Sequence, residues 1–147
     1  MIKKLFILKG SGVCLYFRDF CEFSMPSNNK GSHACDPQLL SGFFAALMTF
    51  AENTSGSLQT ISMNNSNYYF HKDEEYYIIL ETDLVNPKIN YDDFMGLLKD
   101  ITQYFVSFIN IKELDTDFME IIEDEHFSNT IQEKISRLYR RSLLKAV

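Results

Sequence analysis

This chain lacks a hydrophobic run long enough to cross a bilayer. Its longest predominantly apolar stretch without a charge, Pro37 to Ala51, is 15 residues, against the ~20 that a spanning helix needs, so no transmembrane segment is expected. Cysteine is scarce as well. Cys14, Cys21 and Cys35 are odd in number and follow no recognised spacing, which argues against a disulfide framework and for a reducing compartment, the cytoplasm. The middle of the chain is short of positive charge: between Asp73 and Glu125, 15 acidic residues stand against Lys88, Lys99 and Lys112. Such a balance would repel a phosphate backbone, so nucleic acid is not an expected partner. The start, MIKKLFILK, carries the paired lysines of a signal peptide, but Lys9 stops the apolar run Leu5 to Leu8 far short of an h-region.

Catalytic motifs are missing too. Lys9-Gly10-Ser11-Gly12 has the glycines of a phosphate loop, but such loops open a helix, and here a strand pattern follows, so a hairpin turn is expected. His33, Cys35 and Cys21 would give zinc three ligands, where a structural site normally takes four. His33, His71 and His126 have no motif linking them to a nucleophile or a paired base. Glu120, Glu123, Asp124 and Glu125 lack the glycine-containing spacing of a calcium loop and read as a solvated face. No catalytic residue, cofactor or metal is therefore expected, and the chain is not read as an enzyme.

What is present is material for a core. With 147 residues, 46% of them hydrophobic, and 13 Phe beside 8 Tyr, one folded domain over 1-147 is expected. Ile2 to Lys9 is apolar on both alternating faces, Leu5 and Ile7 against Phe6 and Leu8, which fits an interior strand covered on both sides. Gly10-Ser11-Gly12 turns the chain into a second strand, where Val13, Leu15 and Phe17 alternate with Cys14, Tyr16 and Arg18. Ser24 to Asp36 reads as a surface loop that ends in Asp36-Pro37, an N-cap and a first helical residue. The helix that follows stops at Asn53-Thr54-Ser55-Gly56. Three strands come next, at about Ser57 to Asn64, Asn67 to Lys72 and Tyr76 to Glu81, the last apolar on both faces and so central beside the first.

Asn90 is expected to cap a second helix with Phe94, Leu97, Leu98, Ile101, Phe105 and Phe108 inward. Thr116 is expected to cap a short acidic helix to about Glu123, and Ser128 or Asn129 a last one with Ile131, Ile135 and Leu138 inward. The fold expected is α/β of the α+β kind: a five-stranded antiparallel sheet of order 2-1-5-4-3 with helices on both faces, in the succession β-β-α-β-β-β-α-α. Residues 110-147 would form a C-terminal helical extension.

Two segments are candidate surfaces. In DPQLLSGFFAALMTFAEN, Gly42, Ala45 and Ala46 share one face, and this face is expected to lie against the sheet. A mid-helix glycine costs about 0.5–1 kcal/mol, which points to a close backbone approach. Leu39, Leu40, Phe43, Phe44, Leu47 and Phe50 spread round the rest, more apolar side chains than one sheet contact uses. Leu39, Leu40, Gly42, Phe43, Ala46, Leu47 and Phe50 are thus candidate interaction residues, unless the C-terminal helices or the preceding loop cover them. In the last helix Lys134, Arg137, Arg141 and Lys145 share one stripe, with Arg140 nearby. They could meet an anionic membrane surface or an acidic partner, or they could simply complement the helix dipole and keep the surface soluble.

The start IKKLFILKGSGVCLYF, the helix LLSGFFAALMTFAEN, and the meander SLQTISMNNSNYYFHKDEEYYIILETD with its ensuing helix resemble the longin/Roadblock class of profilin-like domains, over about Met1 to Ile109. With a hairpin first and no helix before Ile2, the pattern is closer to longins. Longin-type domains serve in SNAREs, coat adaptors, tethering complexes and regulators of small GTPases. The resemblance therefore implies a non-catalytic platform for a protein partner, a small GTPase or a vesicle-trafficking-type complex, and a homodimer formed through an exposed helix or a sheet edge. The alternative is a small-molecule sensor of PAS-like type, with Phe6, Phe17, Phe70 and Tyr77 lining a pocket.

Overall fold

A computed structural model describes residues 1–21, 36–84, 88–117 and 120–145. The loop expected over 24–36, including His33 and Cys35, lies outside these residues apart from Asp36. In chain order the elements are β1 (Ile2–Lys9), β2 (Cys14–Asp19), α1 (Pro37–Thr54), β3 (Thr60–Ser62), β4 (Asn67–Asp73), β5 (Tyr76–Thr82), α2 (Tyr91–Lys112) and α3 (Glu125–Leu144). They build one antiparallel sheet of order β2-β1-β5-β4-β3.

β1 and β5 take the centre because both of their faces are apolar. Leu5, Ile7, Ile78 and Leu80 join the cluster that includes Leu98, Ile101, Phe105 and Phe127 of α2 and α3. Phe6, Leu8, Tyr77 and Ile79 join Phe44, Ala45 and Met48 of α1 on the other side. α3 reaches the β1–β2 side of the sheet: the Ile2 N–H donates to Tyr139 Oη at 2.6 Å, and the Arg18 guanidinium donates to the Ser128 carbonyl at 2.9 Å. Tyr16 meets Phe127 edge-on with centroids 4.8 Å apart. Both C-terminal helices thus sit on the face opposite α1 and do not cover it.

The expected alternation along β2 is broken. Ile7 pairs with Tyr16 but Leu8 pairs with Cys14, so Leu15 is an inserted residue, a β-bulge that sends Leu15 and Tyr16 into the same core cluster. The bulge also exposes the Leu15 carbonyl to the linker before α3, where the Ile122 N–H donates to it at 2.8 Å. This bond accounts for a second departure. The acidic helix expected from Thr116 to Glu123 is absent among the described residues: 120–124 runs as irregular chain, with the Ile122 amide held by the sheet edge and its side chain packed on the core. Asp124 then caps α3 by accepting from the Phe127 N–H at 2.8 Å, four residues earlier than the expected Ser128. β3 is also shorter than expected, three residues at Thr60–Ser62.

The helix starts behave as their sequences imply. Asp36 accepts from the Gln38 N–H at 3.0 Å with Pro37 in the first turn. Asn90 and Asp93 form a reciprocal capping box, with bonds of 2.9 and 3.1 Å.

Candidate interaction surface

α1 places its apolar residues on two sides at once. Toward the sheet it buries Ser41, Phe44, Ala45 and Met48, and Phe44 is the hub, within 5.3 Å of Phe6, 5.6 Å of Tyr68 and 5.9 Å of Phe70, centroid to centroid. Away from the sheet it leaves Leu39, Phe43 and Phe50 72%, 57% and 67% exposed. Burying a side chain of this size is worth about 1.5–3 kcal/mol, so three left in water forgo a gain comparable to much of a domain's net stability. Leu40 and Leu47 are half-buried; Gly42 and Ala46 are exposed.

The glycine-alanine face does not lie against the sheet as expected. Only Ala45 of that trio is buried, because the layer between helix and sheet is filled by Phe44 and Met48. The close approach that Gly42 implied does exist, but it is to a turn. A Cβ on Gly12 would stand 3.1 Å from the Gly42 Cα, whereas a Cβ on Gly42 itself would meet nothing within 4 Å. Gly12 has φ 98°, and its N–H donates to the Lys9 carbonyl at 2.9 Å, which closes the hairpin turn expected at Lys9-Gly10-Ser11-Gly12. The space in front of Gly42 opens into a shallow hollow between the turn and α1, lined by Gly10, Ser11, Gly42, Ala46, Thr49 and Phe50.

The outward face of α1 is also neutral. Glu52 is the helix's one charged residue, and it is held by Lys72 at 3.0 Å. The edge of the sheet beside α1 is closed to another strand near Cys14: Gln38 accepts from the Cys14 N–H at 2.9 Å and donates to its carbonyl at 3.2 Å. A side-chain amide there takes the bonds that a neighbouring backbone would make.

The basic residues of α3 are spent differently from their sequence pattern. Lys134 bonds Asp100 of α2 at 3.0 Å and Lys145 bonds Asp93 at 2.9 Å, while Arg137 pairs with Glu133 one turn back. Two of the four cations on the stripe therefore tie α3 to the acidic α2, the element whose negative charge stands out in the sequence. Arg141 lines a groove with Asp92, Asp93 and Lys145. The Lys145 ammonium, then the Asn90 backbone N–H, holds the Asp93 carboxyl below its ordinary range.

Phe6, Phe70 and Tyr77 are buried, with Phe17 packed against them at 5.0 Å from Phe6. These four rings pack with Phe44 and line neither the hollow at Gly42 nor the groove at Arg141. His71 is half-buried on β4, where burial pulls its pKa down, and His126 is exposed on α3. Among the described residues no group of three or more His, Cys, Asp or Glu could hold a metal ion, and no helix is long and apolar enough to cross a membrane.

A hairpin, one helix against the sheet, a three-stranded meander and a helix on the opposite face, in strand order 2-1-5-4-3, are now all in place. This is the order of elements and strands that the resemblance to longin-type domains implies. Among solved structures the chain is similar to the gliding protein MglB from Thermus thermophilus, at 11% identity and TM-score 0.44 over 58% of this chain and 64% of that one. It is similar also to MglB with a tetrameric arrangement, at 11% identity and TM-score 0.43 over 58% and 63%. In each case it spans less than two thirds of the matched chain. No family model and no curated protein matches the sequence.

Sequence reasoning named the α1 residues but missed the bulge at Leu15, the Gln38 edge cap and the linker contact at Ile122. None of the three leaves a signal in composition or period.

Proposed function

We propose that this chain is a non-catalytic, cytoplasmic protein-interaction module that binds or regulates a small GTPase, or scaffolds a membrane-trafficking-type complex, with the outward face of α1 as its contact surface. The observation that carries this is the row Leu39, Phe43 and Phe50, solvent-facing on a helix whose opposite side already fills its place on the sheet. An apolar face this large is a recognised mark of association, and large aromatic side chains are the residues that dominate binding energy when they become buried. The longin-like order of elements supports the choice of partner class, since domains of that type act through surfaces rather than through a reaction centre. Fold alone does not fix function, so the face, and not the sheet, is what the proposal rests on. The test is retention of purified small GTPases, each loaded with GDP or with a GTP analogue, on the immobilised chain. Retention that depends on nucleotide state is the expected result; retention of none in either state would contradict the assignment.

A further inference from the structure

We propose that the C-terminal end of α3 is a membrane contact, which seats Leu143 and Leu144 in the headgroup region of an anionic bilayer while Arg137, Arg140 and Arg141 meet lipid phosphates. The contact is separate from α1, which lies on the other face of the sheet, and it does not rest on the function proposed for that helix.

Charge is segregated along α3. Glu133 is its last acidic residue, and the 12 residues that follow carry Lys134, Arg137, Arg140, Arg141 and Lys145 with no acid. The acidic run Glu120, Glu123, Asp124 and Glu125 lies at its start. α3 has 20 residues and is thus ~30 Å long, about three screening lengths at 0.1 M salt. An anionic surface therefore repels one end of the helix and attracts the other, and the chain's net charge of −6 confines the approach to that other end. Lys134 and Lys145 are committed to Asp100 and Asp93 of α2, but the arginines are available. Among the described residues neither Arg140 nor Arg141 has a carboxylate at ion-pair distance, and Arg141 donates only to the Arg137 carbonyl, at 3.5 Å. Arg137 meets Glu133 in an exposed pair, of the kind worth little in water and open to exchange for a phosphate. Of the carboxylates at this end, Asp93 is held by Lys145 and Asp83 lies 3.6 Å from Lys3, while Asp92 stands on the α2 side of the groove.

Apolar side chains sit among these guanidinium groups. Leu143 and Leu144 are 61% and 75% exposed, and they follow Arg140 by 3 and 4 residues, so all three share one surface. Met1, 65% exposed, starts beside them, because the Ile2 N–H is bonded to Tyr139 one turn before Leu143. Exposed leucines ringed by long cationic side chains are what an interfacial helix presents, the apolar groups sinking and the cations reaching up to the phosphates. The occupant follows from size. Six side chains at a helix end fall far short of the 20–30 residues per side that a specific protein interface uses, whereas a fluid bilayer asks for neither that area nor a matching shape.

So small a contact gives weak, reversible binding. The test is co-sedimentation of the full chain with vesicles of phosphatidylcholine alone or with about 30% phosphatidylserine. Half of the chain should be carried down at accessible lipid on the order of 1 mM, with the anionic vesicles only, and raising the salt from about 0.1 to 0.5 M should release it. The double substitutions Arg137→Gln with Arg140→Gln, and Leu143→Ser with Leu144→Ser, should each lower the partition coefficient at least ~10-fold with the melting temperature kept. Ile111→Ser, at a site 79% exposed on α2, and Phe43→Ser on the outward face of α1 should leave it as it was. No binding to anionic vesicles, equal binding to both vesicle types, or double variants that bind like the wild type would overturn the proposal. Loss of binding in Phe43→Ser alone would move the lipid contact to α1 and overturn it too. Capture on immobilised poly-glutamate, without vesicle binding, would assign this end to an acidic protein instead. GTPase retention reads a separate property, so either result can fail while the other stands.

Discussion

Gly12 faces the backbone of Gly42, yet the two should respond to substitution in opposite ways. Gly12 holds φ 98° and faces the Gly42 Cα, so Gly12→Ala combines a left-handed conformation with a contact that must give, and about 1–2 kcal/mol of stability should be lost. Gly42→Ala has open space and a helical backbone, and should gain up to about 1 kcal/mol. Chemical denaturation of the two variants separates them by the sign of the change in midpoint. The sequence showed that Gly42 was unusual but not which way it pointed. Helical spacing reports which residues share a face, and Gly42, Ala45 and Ala46 do lie close together round the helix. It does not say which arc faces inward, and here the larger residues Phe44 and Met48 took the sheet side.

At the scale of elements, the α2–α3 pair shows how the charge pattern was resolved. Asp93 accepts from the Asn90 N–H in the capping box and from Lys145 at the far end of α3, so one carboxylate fixes the start of one helix and the end of the other. Its pKa lies below the ordinary value in the folded chain because of Lys145 first and the Asn90 amide second. A depressed carboxylate stabilises fully above the unfolded value near ~3.9 and stops doing so as pH falls through the lower folded value. Asp93→Ala should therefore lose about 1–2 kcal/mol at pH 7, and the gap to the wild type should narrow in thermal melts as pH falls below the ordinary carboxylate range. The central strands and the α2 stripe were legible because two-sided and 3.6-residue periods survive in any environment. The β2 bulge and the irregular 120–124 linker were not. The two meet in one long-range bond, Ile122 N–H to the Leu15 carbonyl, that no local pattern encodes.

Across the whole molecule, the sheet is covered on one side by α2 and α3 and on the other by a helix that is itself apolar outward. The strand order followed from asking which strands must be central, and that was enough to find the architecture. The candidate surface was legible in part: counting phenylalanines showed that α1 carries more of them than one contact can bury, and the positions left over in the structure are Phe43 and Phe50. The lysines at 134 and 145 read equally well as a free stripe until their partners on α2 were seen. The central claim is that the outward face of α1 is a contact surface, covered whenever this chain associates with protein. Paramagnetic relaxation of methyl groups by a soluble spin probe tests it most directly, recorded on the dilute chain and again on the chain concentrated or bound to a retained protein. The account predicts that the Leu39 and Ala46 methyls, exposed when dilute, become protected on association while those of Leu144 relax as before; Leu39 and Ala46 staying as open to the probe as Leu144 in every associated state would contradict it.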